Sequence, residues 1–202
     1  MRQRPTIVVL AAGRSSRFGG AAHKLEQALA ASTVLGTTLA RVIASGLPFI
    51  VVTTERLLPL VLAEVARRDV LVLSDEEAQR GVGHSIAAAV AERPDAAGWL
   101  VLPGDMPLVS TASIQAVAQA LQGHPVAYPQ YRGRRGHPVG FDAELFSELV
   151  ALDGDEGARR IVARYPAHAV EVDDAGVLLD IDTPEDLARA RGDGQLPTRR
   201  VA

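Results

Sequence analysis

Residues 6–20 read TIVVLAAGRSSRFGG, a short apolar run that leads directly into a loop rich in glycine and serine. The run Thr6–Leu10 is rich in valine and isoleucine without strict alternation, which is typical of a strand covered on both faces. Similar runs recur along the chain and predict further strands of the same kind. These runs are Phe49–Thr53, Val70–Leu73, Trp99–Leu102, Val126–Tyr128, Ala169–Val172 and Val177–Ile181.

Helical patterns separate these runs: Thr33–Ser45, Leu57–Arg67, Ser85–Glu92, Thr111–Leu121, Ala143–Leu149 and Gly157–Tyr165. A last helix is predicted to begin at Thr183 and Pro184, since threonine suits the N-cap and proline the first turn. This alternation predicts an α/β fold with a doubly wound, mostly parallel sheet and helices on both faces. We expect residues 1–191 to form a single domain and the turn-rich residues 192–202 to form a flexible tail.

Composition narrows the class of protein. The chain has 202 residues, of which 48% are hydrophobic, enough to bury one core. Its 21 basic and 24 acidic residues nearly cancel, which argues against a nucleic-acid partner. It has no cysteine, which excludes a disulfide scaffold and a thiol nucleophile and fits a reducing cytoplasm. The first apolar run is too short for a signal peptide or a membrane helix, so a cytoplasmic location without membrane association is expected.

The loop after the first predicted strand has the features of a phosphate site. Ligands of open parallel sheets bind beyond the carboxyl ends of the strands, and glycine-rich loops there offer backbone N–H groups to phosphates. Arg14, Arg17 and Lys24 would add positive charge, and Lys24 is the only lysine in the chain. The loop is not a Walker A motif, and Ser15 stands where a dinucleotide fingerprint has its second glycine. A tight turn with solvated arginines is the alternative interpretation.

Carboxylates follow two other predicted strands. Asp105 stands between Gly104 and Met106-Pro107, directly beyond the run Trp99–Leu102. Such a carboxylate at a strand end suits Mg²⁺, which takes one or two carboxylates together with substrate phosphates. Asp180 and Asp182 occupy alternate positions, so both would point to one face of a continued strand and one of them could reach the same metal. The alternatives are that Asp105 organises a turn and that Asp182 caps the last helix.

Five motifs occur in a characteristic order. They are Leu10-Ala11-Ala12-Gly13 with Ser15, Arg17, Phe18, Gly19 and a closing Lys24; Gly104-Asp105-Met106-Pro107; Gly136-His137-Pro138-Val139-Gly140-Phe141; Gly154-Asp155-Glu156-Gly157-Ala158-Arg159; and Asp180-Ile181-Asp182-Thr183-Pro184-Glu185-Asp186-Leu187. Over residues 6–190 this order resembles the MobA-like nucleotidyltransferases, and most closely the molybdenum cofactor cytidylyltransferases. The spacing between Gly19 and Lys24 is slightly longer than is usual in that family.

The resemblance implies a nucleotidyltransferase that moves CMP from CTP to the phosphate of molybdopterin and releases pyrophosphate, with Mg²⁺ as cofactor. It implies catalytic roles for Arg17, Lys24 and Asp105, and metal binding by Asp105 and Asp182. The implied nucleotide-binding residues are Leu10, Ala11, Ala12, Gly13, Arg14, Lys24, Gly81, Ser85 and Gly104. Members that use GTP tend to read Leu-Ala-Gly-Gly in the first loop, so Ala12 favours CTP. A molybdoenzyme or its maturation chaperone is the implied protein partner.

The acceptor side is predicted from the segment 132–138, which is basic and interrupted by glycine. Arg135 and His137 are the candidate acceptor-binding residues, because such a segment suits an anionic second substrate. A solvated basic hairpin is the alternative. The other histidines lack the spacing of metal ligands, so no zinc site is expected.

Three other functions stay open at this point. The chain could use GTP or another phosphorylated acceptor, or it could be an NAD(P)H-dependent oxidoreductase of the same fold. The absence of a Gly-x-Gly-x-x-Gly motif argues against the oxidoreductase. A non-catalytic molybdopterin carrier is the third, and the pair Asp105 and Asp182 argues against it because a carrier needs no metal clamp. Nothing in the sequence indicates an oligomeric state.

Overall fold

The computed structural model describes residues 4–13 and 23–192, and its centre is a mixed β-sheet. The strands are β1 (Thr6–Leu10), β2 (Ala28–Leu29), β3 (Ser32–Thr33), β4 (Phe49–Thr54), β5 (Val70–Leu73), β6 (Gly98–Pro103), β7 (Val126–Tyr131), β8 (Arg134–Arg135), β9 (Val139–Asp142) and β10 (Ala167–Glu171). The order across the main sheet is β10-β7-β9-β6-β1-β4-β5, with β8 paired to β7, while β2 and β3 form a separate small hairpin.

Among the described residues, four of the seven strand pairs of the main sheet are parallel, as expected of a doubly wound α/β fold. β1 pairs in parallel with β4 and β6, and β4 with β5. β9 runs antiparallel between β6 and β7. From β1 the chain first builds outward through β4 and β5 and then returns to add β6 on the other side of β1. The edge between β1 and β6 is therefore a topological switch point, where ligands of open α/β sheets bind.

Helices cover both faces of the sheet. They are α1 (Val34–Ala44), α2 (Leu58–Leu62), α3 (Asp75–Gln79), α4 (Val82–Glu92), α5 (Thr111–Ala120), α6 (Phe146–Val150), α7 (Arg159–Arg164) and α8 (Pro184–Gly192). Buried residues of α1, α2, α5 and α8 join one core, and those of α4, α6 and α7 join the other. Ile7 and Val9 of β1 belong to the first core and Val8 to the second, as expected of a strand covered on both faces. Within the described ranges, no helix has the length and apolar character needed to span a bilayer.

The predicted strand Val177–Ile181 is wrong. A short 3₁₀ turn covers Ala175–Leu178, and the chain then continues without regular structure to Thr183. The backbone groups of this segment are satisfied by loops: His137 N–H donates to the Val177 carbonyl at 2.9 Å, and Ile181 N–H donates to the Asp105 carbonyl at 2.9 Å. Val177 and Ile181 are apolar because they bury in the core, and burial does not require a strand.

Several other elements begin or end a few residues away from their predicted boundaries. α2 is shorter than the predicted helix 57–67, and the predicted helix 85–92 begins earlier, at Val82, with the separate α3 before it. β9 was not predicted. The last helix begins as predicted, because the Thr183 hydroxyl accepts the Asp186 N–H at 3.1 Å. α8 runs through Gly192, and the remaining residues of the predicted tail, 193–202, lie outside the described residues.

Candidate active site

Three charged side chains from distant parts of the chain meet at the carboxyl edge of the sheet. Lys24 Nζ lies 2.5 Å from Asp105 Oδ2 and 2.6 Å from Asp182 Oδ1. The two carboxylates are 81 and 158 residues from the lysine in sequence. The side chains of Lys24, Asp105 and Asp182 are 15%, 16% and 29% exposed, so the ion pairs are largely shielded from water. We call this group the charged triad.

The backbone at the ends of β1 and β6 places Asp105. Gly104 N–H donates to the Leu10 carbonyl at 2.9 Å, and the buried Thr38 hydroxyl donates to the Gly104 carbonyl at 2.9 Å. A Cβ on Gly104 would lie 2.9 Å from the Leu10 carbonyl oxygen, so this approach requires glycine. The Asp105 carbonyl in turn accepts the Ile181 N–H, which brings Asp182 to the same edge.

The electrostatics of the triad keep the lysine charged. Burial alone would lower the pKa of Lys24, but the charges of Asp105 and Asp182 and its hydrogen bonds to them outweigh burial and raise it. Asp180 lies nearby as a further carboxyl group. Partial desolvation, followed by the charges of Asp182 and Asp105, raises the pKa of Asp180.

Only one carboxylate oxygen of Asp105, Oδ2, forms the ion pair with Lys24. Its Oδ1 is buried and has no hydrogen-bond partner among the described residues. A buried carboxylate oxygen without a partner is costly unless another group uses it. Together with the Asp182 carboxylate it forms the hard oxygen donor set that Mg²⁺ and similar divalent cations prefer. The residues present therefore fit a divalent cation.

A cavity of about 420 Å³ opens beside the ends of β1 and β6. We call it the β1 cavity. It is lined by Leu10, Ala12, Gly13, Ala78, Gln79, Gly81, Val82, Ser85, Pro103 and Asp155. Its walls are mostly small or apolar, with few polar side chains. Such a lining suits a planar ligand that is oriented by a small number of hydrogen bonds.

Two loops are fitted tightly together to form one wall of the β1 cavity. Gly81 has a φ of +100°, and a Cβ there would lie 2.4 Å from the Gly154 carbonyl carbon. Gly83 N–H donates to the Gly154 carbonyl at 2.8 Å, and Gly154 N–H donates to the Arg80 carbonyl at 2.9 Å. The start of α4 and the loop before α7 are thus held in contact by backbone hydrogen bonds and by glycines that leave no space for a side chain.

A second cavity of about 320 Å³ adjoins the first, and we call it the β9 cavity. Leu10, Val82, Pro103 and Asp155 line both. The β9 cavity adds Ile86, Val101, Arg135, Gly136, His137, Val139, Phe141, Glu156, Gly157, Ala158, Arg159 and Val162. It therefore combines an apolar floor with two arginines, a histidine and two acidic residues. An anionic ligand with an apolar or planar body matches this lining.

The polar residues of the β9 cavity are oriented by their own neighbours. The Arg135 guanidinium lies over the Tyr128 ring, 5.6 Å from its centroid. Burial lowers the pKa of His137, the charge of Asp105 opposes this, and Arg135 and Arg159 lower it further. His137 is therefore a neutral imidazole close to the Asp105 carboxylate at neutral pH.

The structure brings most of the predicted site residues together. Leu10, Ala12, Gly13, Gly81 and Ser85 line the β1 cavity, and Arg135 and His137 line the β9 cavity. Two predicted nucleotide-binding residues lie elsewhere: the Ala11 side chain packs in the core, and Gly104 contacts the end of β1. Arg14 and Arg17 lie outside the described residues.

Sequence reasoning assigned no site role to several residues of this region, among them Gln79, Asp155 and the buried His23. Gln79 lies two residues before the predicted Gly81, and Asp155 belongs to a motif that had carried the resemblance without being given a role. Their positions next to or within recognised motifs could have indicated both Gln79 and Asp155 as site residues. No pattern in the sequence pointed to His23.

Comparison with known proteins decides the family. The model of the MobA-like NTP transferase domain matches residues 7–170. The chain belongs to the MobA-like NTP transferase family. It is therefore a nucleotidyltransferase by family. The ends of β1 and β6, the two cavities, Lys24 and Asp105 lie within the matched region, and Asp182 lies beyond its end.

Individual relatives differ in what their names report. The molybdenum cofactor cytidylyltransferase of Escherichia coli K12 is 25% identical over 91% of this MobA-like chain and 94% of its own. The purine catabolism protein PucB of Bacillus subtilis 168 is 36% identical, but the match covers 57% of this chain and only 58% of PucB. The Mycobacterium tuberculosis protein Rv0371c, in complex with manganese, is similar in structure, with a TM-score of 0.77, 31% identity, and coverage of 93% and 98%.

The charged triad predicts how this MobA-like transferase responds to Lys24→Met. Without the ammonium, two shielded carboxylates face each other, and we expect the free energy of unfolding at pH 7 to fall by about 2 kcal/mol, less than for a fully buried pair. Denaturant unfolding of the wild type and the variant at pH 7 measures the difference.

Arg68→Met is the matched control for this charge change. Its guanidinium is 86% exposed and lies 3.7 Å from Asp69, so its removal should leave stability nearly unchanged. Equal effects of the two substitutions would contradict the stabilising role of the triad.

Proposed function

We propose that this chain transfers CMP from CTP to the phosphate of molybdopterin and releases pyrophosphate, with Mg²⁺ as cofactor. The observation that carries the proposal is the charged triad at the switch point, beside two adjoining cavities. Leu10 and Pro103 line both cavities, and Asp105 follows Pro103 by two residues. Two ligands bound in these cavities would both lie close to Asp105, as a group transfer between them requires.

The β1 cavity is proposed to hold the nucleoside. Its lining by Ala12, Gly81 and Ser85 places three predicted nucleotide-binding residues on one surface. The proposal of cytosine rests on Ala12, since relatives that use GTP tend to have glycine there. The similarity of nearly the whole chain to the E. coli cytidylyltransferase supports the same base.

The proposed reaction needs positioning more than proton transfer. A phosphate monoester oxygen of the acceptor attacks the α-phosphorus of CTP, a new P–O bond forms, and the bond to the β-phosphate breaks as pyrophosphate leaves. The phosphate nucleophile is already ionised near neutral pH, so no general base is required. The protein's contribution is to bring two anions together and to balance their charge.

The charged triad would supply that balance. Asp105 and Asp182 would hold Mg²⁺, which when bound neutralises developing charge on phosphate oxygens and orients them. The manganese complex of Rv0371c supports a divalent-cation site in this fold family. Lys24 and Arg17 would stabilise the departing pyrophosphate, and Arg14 with the backbone of Gly13 would bind the triphosphate.

The β9 cavity is proposed to hold the acceptor. Arg135 offers a planar guanidinium to a phosphate, and the neutral His137 offers an N–H donor near Asp105. The apolar floor, which includes Val139 and Phe141, suits the ring system of a pterin. Delivery of the product to a molybdoenzyme or its maturation chaperone stays a prediction, as does the cytoplasmic location.

Ligand binding tests the proposed nucleotide. The purified protein is heated with CTP, GTP, ATP or NADH, each with and without Mg²⁺ or Mn²⁺. A ligand at 100 times its Kd adds about 2.7 kcal/mol to native-state stability. We expect metal-dependent stabilisation by CTP that exceeds that by GTP. Stronger stabilisation by GTP would replace the base, and a response to NADH alone would favour the oxidoreductase.

The triad's role in chemistry is tested by Asp105→Asn. Loss of the metal carboxylate should lower kcat roughly 1,000-fold, equivalent to about 4 kcal/mol of activation free energy. Pyrophosphate release from CTP in the presence of molybdopterin measures it. Glu92→Gln is the control, since its carboxylate is exposed at the C-terminal end of α4, whereas the cavity residues of α4 lie in its first half. Near-normal turnover of Asp105→Asn at saturating Mg²⁺ would contradict the assignment.

The acceptor site is tested by Arg135→Ala. Removing a charged hydrogen-bond donor should raise KM for molybdopterin about 10-fold while KM for CTP changes little. The neighbouring Arg134 is also exposed but does not line the β9 cavity, so Arg134→Ala is the matched control. Two-substrate steady-state kinetics separate the two KM values. An equal rise in both, or an equal effect of the two variants, would argue against acceptor binding by Arg135.

A further inference from the structure

His23 is a buried imidazole at the start of the turn that carries Lys24. Its side chain is only 6% exposed, and both ring nitrogens have partners. Nδ1 accepts the backbone N–H of Leu25 at 3.2 Å, and Nε2 lies 2.9 Å from the carbonyl oxygen of Gly13. The turn Lys24–Glu26 is a 3₁₀ helix for which His23 is the N-cap residue.

The two partners require the same form of the ring. The Leu25 N–H can only donate, so Nδ1 must accept and carries no proton. The Gly13 carbonyl can only accept, so Nε2 must carry the proton and donate. A neutral imidazole with its proton on Nε2 satisfies both. Burial, the largest cause, lowers the pKa of His23 and favours this neutral form, although the Gly13 carbonyl acts in the opposite direction.

The two hydrogen bonds do different work. The bond from Leu25 to Nδ1 closes the turn on itself, together with a second bond in which the backbone N–H of His23 donates to the Glu26 carboxylate at 2.8 Å. The bond to Gly13 instead joins that turn to the end of β1. At the same end of β1, the Leu10 carbonyl accepts the backbone N–H of Gly104, the residue directly before Asp105. His23 thus connects the lysine to the part of the backbone that places its carboxylate partner.

We propose that His23 is a positioning residue, whose Nε2–Gly13 hydrogen bond holds Lys24 at Asp105 and Asp182. Without this bond the turn would still be capped and Leu25 would still be buried in the core, but the direct hydrogen bond from the residue before Lys24 to the end of β1 would be lost. The consequence for nucleotide transfer rests on the function proposed above, whereas the placement of Lys24 does not. Nothing about His23 requires it to touch a substrate.

Two substitutions separate the two hydrogen bonds. In His23→Asn, the amide oxygen can replace Nδ1 as acceptor for the Leu25 N–H, but the side chain is too short to reach Gly13. In His23→Gln, the longer amide can place its NH₂ where Nε2 lies and donate to Gly13, while the cap is lost. The proposal therefore expects Asn to release Lys24 and Gln to retain it.

Lys24 is the only lysine of the chain, so its amine can be followed by itself. The 202-residue chain, without nucleotide, is treated with an N-hydroxysuccinimide acetate reagent. Peptide mass spectrometry follows the rate of acetylation of Lys24, with the α-amino group as internal reference. The two ion pairs shield the wild-type amine and make it slow to react. Asp182→Asn, which removes one partner, is the positive control for faster reaction. Thermal unfolding of each variant is measured in parallel.

We expect Lys24 of His23→Asn to react about 10-fold faster than wild type, and Lys24 of His23→Gln to react within about 2-fold of wild type. Rates near wild type in both variants would overturn the proposal. Equal acceleration in both variants with equal losses of Tm would also overturn it, because a merely structural role of His23 predicts that result. Acceleration in His23→Gln alone would overturn it as well, because the placement of Lys24 would then depend on the N-cap hydrogen bond.

A binding measurement then connects this result to function. With Mg²⁺ present, His23→Asn should weaken CTP binding about 10-fold and leave cytidine binding unchanged, because cytidine has no phosphates for Lys24 to contact. If wild type binds no triphosphate, the proposed function fails, yet the acetylation rates still decide the role of His23. If wild type binds CTP and the variant binds both ligands as wild type does, the inference fails and the proposed function stands.

Discussion

The attraction between one ammonium group and two carboxylates joins three remote parts of this chain. Asp105 and Asp182, both held at the edge of the sheet by backbone hydrogen bonds, would repel each other in a largely shielded site. Lys24 makes their proximity tolerable. The charges leave the triad with a net charge of −1 by simple addition, so it can still attract a cation, and a lysine that balances carboxylates is equally suited to phosphates. The site of the proposed nucleotidyl transfer is thus already partly charge-compensated before any ligand binds.

The direction of β9 explains where the second cavity lies. In a parallel sheet, functional residues follow the strands at their carboxyl ends, as Asp105 follows β6. β9 is antiparallel to β6, with Val101 opposite Val139, so its beginning lies at that edge. His137 accordingly stands before its strand and not after it. One reversed strand therefore adds a second set of side chains to the same edge and gives the site two adjoining cavities.

Local sequence patterns predicted most of the central strands and the main helices, whereas the features they missed depend on non-local contacts. β1, β4, β5 and β6 agree with their apolar runs to within one residue, because strands covered on both faces need such runs. The segment 177–181 has the same composition but is paired with loops. Asp105 was identifiable from its place after a strand. His23 was not, since its importance depends on reaching Gly13, 10 residues away, and burying its ring there.

The glycines at the start of α4 limit how the lining of the β1 cavity can change in evolution. A Cβ on Gly81 would meet Gly154, and a Cβ on Gly83 would lie 2.8 Å from the Asp153 carbonyl oxygen, so neither position accepts another residue while that loop keeps its place. Enlarging or reshaping this wall requires simultaneous change in two segments about 70 residues apart. Under the proposed binding of the nucleoside in the β1 cavity, single substitutions at the remaining lining positions, such as Ala12 or Gln79, are the accessible route to a different nucleotide. Divergence within such a scaffold should therefore concentrate at those positions while the glycine wall stays constant.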